Sequence, residues 1–166
     1  MLATVGRWME RHPRLSRLTA SALCRRELSP NSGWQVIGWW ESRRIPFNLV
    51  VGSAGIFSSA VIVTVGLVGY FFFHSEFPAP TGVTIFAVIF YAIIANVCYT
   101  GGWLAELIVR RAWPDEADRF AVLSFSLGLV FSVLLTLLPG VLAGVGGILG
   151  LLAHLLHLLQ SARKLI

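Results

Sequence analysis

Charge is what this sequence most lacks. Residues 45–75, 77–105 and 120–162 contain no Asp, Glu, Lys or Arg, and only 13% of the 166 residues are charged. A soluble domain carries about 25% charged residues, and its helices show a charged face. Uncharged apolar runs of about 18 residues or more are instead what a bilayer selects. The mean hydropathy of +0.76 agrees, and a soluble globular domain is excluded. Cysteine is almost absent as well. Cys24 and Cys98 lie far apart and form no C-x-x-C pair, so no redox or zinc framework is visible. Lysine occurs once, at position 164, against twelve arginines, a bias associated with GC-rich bacterial genomes. No Ser/His/Asp series, paired intramembrane carboxylates or His-Glu-x-x-His pattern is present, which disfavours an intramembrane hydrolase.

The charge that does occur is basic, with a net +5 and a pI near 10.0. Eight arginines precede residue 45, on segments flanking an apolar run, where basic residues set topology or meet anionic lipid. Nucleic acid is therefore not the expected partner. Residues 1–28 place Val5, Trp8, Met9, His12, Leu15, Leu18, Ala22 and Leu23 on one side of a helix and most arginines on the other. This is the pattern of an amphipathic helix lying in the membrane interface on anionic lipid. Ser29-Pro30-Asn31-Ser32-Gly33 is a break built of turn residues. Trp34, Trp39, Trp40, Arg43 and Arg44 then read as an interfacial anchor before Pro46 opens the first span.

The remaining chain is organised around 86–111, FAVIFYAIIANVCYTGGWLAELIVRR. Asn96, Tyr99, Thr100, Trp103 and Glu106 fall within one third of its helical circumference, and the opposite side suits lipid. Such a stripe must be hidden against other helices. The first span, 46–73, offers small residues at helical spacing, among them Asn48, Gly52, Gly55 and Ser59, which allow close backbone approach. The second span covers 82–109. The last uncharged run, 120–162, would make a helix of roughly 64 Å, about twice the hydrocarbon thickness. Pro139-Gly140 at its midpoint predicts a division into 120–138 and 141–159, with three spans and a re-entrant or interfacial tail as the alternative. Four spans also bring Arg163-Lys164 back to the side of the N-terminal arginines, as the positive-inside rule favours. The expected fold is an all-α integral membrane four-helix bundle, 46–162. A basic cytoplasmic region, 1–45, precedes it and a cytoplasmic tail, 163–166, follows, so both termini would be cytoplasmic at the inner (plasma) membrane.

Several residues are candidates for chemistry or packing. Gly144 to Gly150 superficially resembles a dinucleotide loop, but no strand precedes it and no acidic residue follows to hold a ribose. Gly140-x-x-x-Gly144 and Gly146-x-x-x-Gly150 read as helix-packing faces. Twelve residues inward from the cytoplasmic ends at Pro46, Ile108, Phe120 and Leu159 lie Ser58, Asn96, Ser132 and Gly147. This predicts a midplane layer in which Asn96 hydrogen-bonds Ser58, Ser59 or Ser132. The same counting near the cytoplasmic ends levels Asn48, Glu106 and His157, with His154 a turn deeper. A polar cluster of Asn48, Asn96, Tyr99, Glu106, His154 and His157 is therefore a candidate site, with a local Glu106–Arg110 pair as the rival arrangement. The two histidines lack the further ligands of a metal or haem site, so no metal or cofactor is expected.

Trp39-Trp40-Glu41-Ser42-Arg43-Arg44 with Asn48, and Ala95 to Trp103 with Glu106, resemble a pattern in some uncharacterised small bacterial multi-pass membrane proteins. The resemblance covers the first two spans and implies no activity. The residues point first to a non-enzymatic bundle that associates with itself or with another membrane component. A small transporter or proton-coupled permease subunit is the alternative, and a haem-binding redox subunit the third reading.

Overall fold

A computed structural model describes residues 32–73 and 82–163. They form three long helices: α1, Gly33–Phe73, of 41 residues; α2, Gly82–Ala112, of 31; and α3, Ala117–Arg163, of 47. A 3-10 turn, Pro114–Glu116, joins α2 to α3, and no strand occurs among the described residues. Each long helix has the length and apolarity to cross a membrane. The interfacial helix expected over 1–28 and the loop 74–80 lie outside the described residues.

α1 begins thirteen residues before the expected span, and Pro46 sits inside it rather than at its start. Its first turn forms where the turn-rich sequence ends, with the Ser32 carbonyl accepting from the amides of Gln35 at 3.1 Å and Val36 at 3.3 Å. Packing carries the helix onward. Val36, Trp40, Phe47 and Val51 recur on one face and all four are buried. A proline inside a helix costs about 3 kcal/mol through its missing donor and its ring. Burial of an aromatic side chain on either side, each worth roughly 1.5–3 kcal/mol, offsets this.

The second correction concerns the C-terminal half. The stretches 120–138 and 141–159, expected as two spans, belong to the single helix α3, so three long helices stand where four were expected. Pro139 removes one donor from the ladder but does not reverse the chain. The next amide, Gly140 N–H, donates to Ser58 Oγ at 2.9 Å. Prolines are tolerated in apolar helices where a neighbour satisfies backbone groups in this way.

Among the described residues, 32–51 and 82–132 form one compact unit, and 52–73 and 133–163 another. In the first, Trp40 meets Glu106, Arg44 meets Thr100 and Asn48 meets Asn96, so α1 and α2 run antiparallel. The connector is short: Trp113 N–H closes α2 on the Val109 carbonyl, and Pro114 opens the 3-10 turn. Proline suits that first position because its absent N–H would have no intrahelical acceptor there.

The second unit is a parallel pair. Ser58, Val61 and Val65 of α1 face Gly140, Gly144 and Gly147 of α3. A methyl group added at Gly140 would lie 2.7 Å from Ser58 Oγ and 2.8 Å from Ser58 Cα; one added at Gly147 would lie 2.7 Å from a Val65 methyl. The packing face is thus 140/144/147, while a methyl group added at Gly146 or Gly150 would meet nothing within 4 Å. Gly52 is equally open, Gly55 approaches Thr136 at ordinary contact distance, and Ser59 is exposed while Ser58 is buried. Of the small residues expected to pack, Gly140 and Gly144 face α1, Ser58 stands where Ser59 was expected and Gly147 where Gly146 was, and Gly52 and Gly150 are open.

These distances predict opposite signs for similar changes. Gly140→Ala forces backbone apart and should destabilise the protein by about 1–3 kcal/mol, as overpacking does. Gly146→Ala meets nothing and should be neutral or stabilising by up to about 1 kcal/mol, from helix propensity. Denaturation of the two variants in one detergent, followed by circular dichroism, checks this; equal destabilisation by both contradicts the close approach.

Candidate functional site

The polar stripe of α2 turns inward in the first unit, and its centre is Glu106. This carboxylate is fully buried. Its Oε2 accepts from Trp40 Nε1 at 2.7 Å and its Oε1 from Arg110 Nη2 at 2.9 Å. Arg110 Nη2 also reaches Asp118 Oδ1 at 2.6 Å. Three helices thereby meet at one charge: Trp40 from α1, Glu106 and Arg110 from α2, Asp118 from the first turn of α3. An isolated carboxylate in an apolar interior is very costly, whereas one held by two donors and a countercharge is tolerated.

Trp40 is placed by its surroundings as much as by this bond. Its indole is 2% exposed and packs edge-on to Tyr99 at 5.5 Å and Phe125 at 5.8 Å. Phe47 joins on the Tyr99 side, with centroids 4.9 Å apart. The Tyr99 hydroxyl donates to the Trp40 carbonyl. Opposite the indole stands Gly102, where an added methyl would lie 2.7 Å from the ring. Any side chain at 102 would push Trp40 off Glu106. The cluster borders a cavity of about 130 Å³ lined by Phe47, Cys98, Tyr99, Ser124, Phe125 and Ser132, among others.

A second polar seam lies between α1 and α2. Arg44 Nη2 donates to Glu41 Oε1 at 2.8 Å and to Thr100 Oγ1 at 3.1 Å, and its guanidinium lies 5.2 Å from the Tyr99 ring centre. One turn further along both helices, Asn48 and Asn96 exchange side-chain hydrogen bonds at 3.4 and 3.3 Å. Asn96 Nδ2 also donates to the Ala92 carbonyl at 3.0 Å.

The candidate cluster from the sequence thus divides. Asn48 and Asn96 are joined, and Tyr99 and Glu106 share Trp40 as their partner. The histidines belong to the other unit. His154 lies edge-on to Phe73 at 4.8 Å, and the His157 carbonyl accepts from Ser161. Glu106 bonds Trp40 and Arg110, so the local Glu106–Arg110 pair, the rival arrangement, is present. The midplane layer does not form as expected: Asn96 bonds Asn48, Ser58 bonds Gly140, and the Ser132 carbonyl accepts from Tyr91 at 3.1 Å. Among the described residues no three His, Cys, Asp or Glu side chains converge as metal ligands would.

Two residues central to this arrangement escaped the sequence analysis. Trp40 was assigned to an interfacial belt with Trp34 and Trp39, yet Trp34 is 82% exposed and Trp40 is core. The signal lay in the spacing 36, 40, 47, 51, which marks one helical face. Asp118 gave no periodic signal, since its role depends on how the connector turns. Comparison of the chain with protein families, curated proteins and solved structures finds no match.

Removing one member of the buried pair should cost more than removing both. Arg110→Leu removes the countercharge from the buried Glu106 carboxylate and should destabilise by about 3–5 kcal/mol. Arg110→Leu combined with Glu106→Leu should recover much of that loss. A double-mutant cycle measured by chemical denaturation in detergent decides the point; additive losses would mean the two side chains are not coupled.

Proposed function

We propose that this chain is a non-catalytic, multi-pass protein of the bacterial plasma (inner) membrane whose helices associate with a second copy or with another membrane component. The observation that carries the reading is the state of Glu106. It is the sole Asp, Glu, Lys or Arg between residues 82 and 109, and both its oxygens are engaged by Trp40 and Arg110 in a closed site. A transport carboxylate must exchange protons or ions with water, while this one ties helices together. The exposed surfaces support association. Ile85, Phe86, Ile89, Phe90 and Ile93 of α2 are all more than half exposed. In the second unit a groove of about 500 Å³ opens between α1 and α3, floored by Gly69, Gly144, Gly147 and Gly150. Glycine-floored grooves admit a neighbouring helix closely, which is what drives association in lipid.

Topology follows the same reasoning. Eleven of the thirteen basic residues precede residue 120, so the positive-inside rule sets the N-terminal side as cytoplasmic. An unbroken α3 then carries the C-terminus to the opposite side. The two basic residues at 163 and 164 are too few to outweigh the eleven. A reporter fused after Ile166 should be active on the periplasmic side; a cytoplasmic C-terminus would restore the four-span arrangement with a break at Pro139.

Light scattering of the full chain in mild detergent should give a mass of at least two 18.2 kDa copies. Gly150→Trp, at a groove position where an added Cβ would meet nothing within 4 Å, should shift that mass towards one copy. A monomer in detergent and in crosslinked native membranes, with proton flux in vesicles abolished by Glu106→Gln, would replace this reading with a transporter.

A further inference from the structure

The seam between α1 and α2 holds polar groups that the packing does not consume. Arg44 spends Nη2 on Glu41 and Thr100, while Nη1 has no hydrogen-bond partner among the described residues. Asn48 gives one amide hydrogen to Asn96 and keeps the other, on an exposed side chain. The Glu41 and Arg44 side chains are 43% and 31% exposed. A charged pair open to that extent does not sit in hydrocarbon, where ionised groups are strongly disfavoured. Their level on α1 is therefore that of water or lipid headgroups. Asn48 lies one turn, about 6 Å, further towards the uncharged run. Exposed Ile45, Leu49, Ile93 and Val97 flank it.

From the charged side inward, the order is a guanidinium with a spare fork arm, then a spare amide donor, then apolar side chains. A diacyl phospholipid presents the complementary order: phosphate, ester carbonyls, acyl chains. We propose that the Arg44–Asn48–Asn96–Thr100 seam is a binding site for one anionic glycerophospholipid. Arg44 Nη1 donates to the phosphate and the free N–H of Asn48 to an ester carbonyl. Glu41 opposes an anion, but it engages Nη2 and leaves Nη1 unspent. Arg43, whose guanidinium stacks 4.2 Å over Trp39, leaves the local charge at one positive. Thr100 and Asn96 position these two donors and do not themselves reach the lipid.

This site is distinct from the basic segment 1–28 and does not require the chain to self-associate. The test uses the full chain purified in mild detergent and exposed to mixed micelles of phosphatidylglycerol and phosphatidylcholine, with bound lipid counted by mass spectrometry. The wild type should retain phosphatidylglycerol in preference to phosphatidylcholine. Arg44→Gln and Asn48→Ala should each lower that retention, the former about tenfold, as expected for a lost hydrogen bond to a charged group. Arg111→Gln, an exposed arginine outside the seam, should leave it unchanged. Soluble glycerol phosphate should not displace the lipid; displacement would mean that a free phosphate anion suffices and would overturn the lipid assignment. Equal losses in all three variants would show diffuse electrostatic attraction and overturn the site. Spontaneous disulfide dimers of Asn48→Cys in native membranes would give this face to a second copy and equally overturn it. If Arg44→Gln unfolds the protein, Asn48→Ala decides alone, since its side chain is exposed: unchanged retention overturns the proposal. The readout holds for a monomer, so failure of self-association leaves it intact and separately measurable.

Discussion

Burying the Glu106 carboxylate constrains everything around it. A charge without access to water needs donors that are fixed in place, because losing one leaves an uncompensated ion. Here the donors come from two helices, and one of them, Arg110, is held in turn by Asp118 on a third. The requirement propagates. Trp40 reaches Glu106 only because residue 102 is glycine, and it stays there because Tyr99 and Phe125 close on it from the sides. Such a network fixes register more than it adds stability. Sliding α1 by one residue along α2 would turn Trp40 away and cost the carboxylate its donor from α1.

The second unit is held by different physics. No ion pair joins its described helices; the contact rests on Ser58, Val61 and Val65 against Gly140, Gly144 and Gly147. In lipid, where apolar burial gives little driving force, close packing and the odd backbone-to-hydroxyl bond must suffice. Ser58 combines both, since its Cα stands in near-contact with Gly140 and its hydroxyl takes the Gly140 amide. Proline at 139 fits this scheme. The amide that follows it, Gly140 N–H, has a hydroxyl of the neighbouring helix as its acceptor.

The sequence pattern shows both halves of this division to different degrees. Uncharged runs reveal the apolar helices directly, and the inward stripe of α2 follows from its 3.6-residue period. The Glu106–Arg110 pair is a local relation, legible from an i,i+4 spacing. What it does not reveal is tertiary. Trp40 in the core and Trp34 at the surface differ in the sequence only through the spacing 36, 40, 47, 51, which marks a face without showing what covers it. Pro139-Gly140 carries the signature of a reversal. Whether it reverses or merely punctuates depends on Ser58, eighty-two residues earlier. Depth counting failed for a related reason. It assumed that each span begins where charge ends, whereas α1 packs as a helix well before that point.

That early start bears on how the molecule meets its surroundings. The buried ionic network belongs to the charge-bearing ends of the helices: Trp40 of α1, Glu106 and Arg110 of α2, Asp118 of α3. The most apolar stretches bury little: 6% of that of α1 and of α2, and 17% of that of α3, lies inside. Directional bonds, which need exact partners, thus hold the helices where water or headgroups would otherwise compete for their polar atoms. Non-directional apolar faces are left to contact lipid or another helix. A bundle built this way keeps its own register when the molecules pressed against its apolar faces change. Those faces are then free to exchange one apolar neighbour for another at small cost, because no buried polar atom of the described network depends on which neighbour is there.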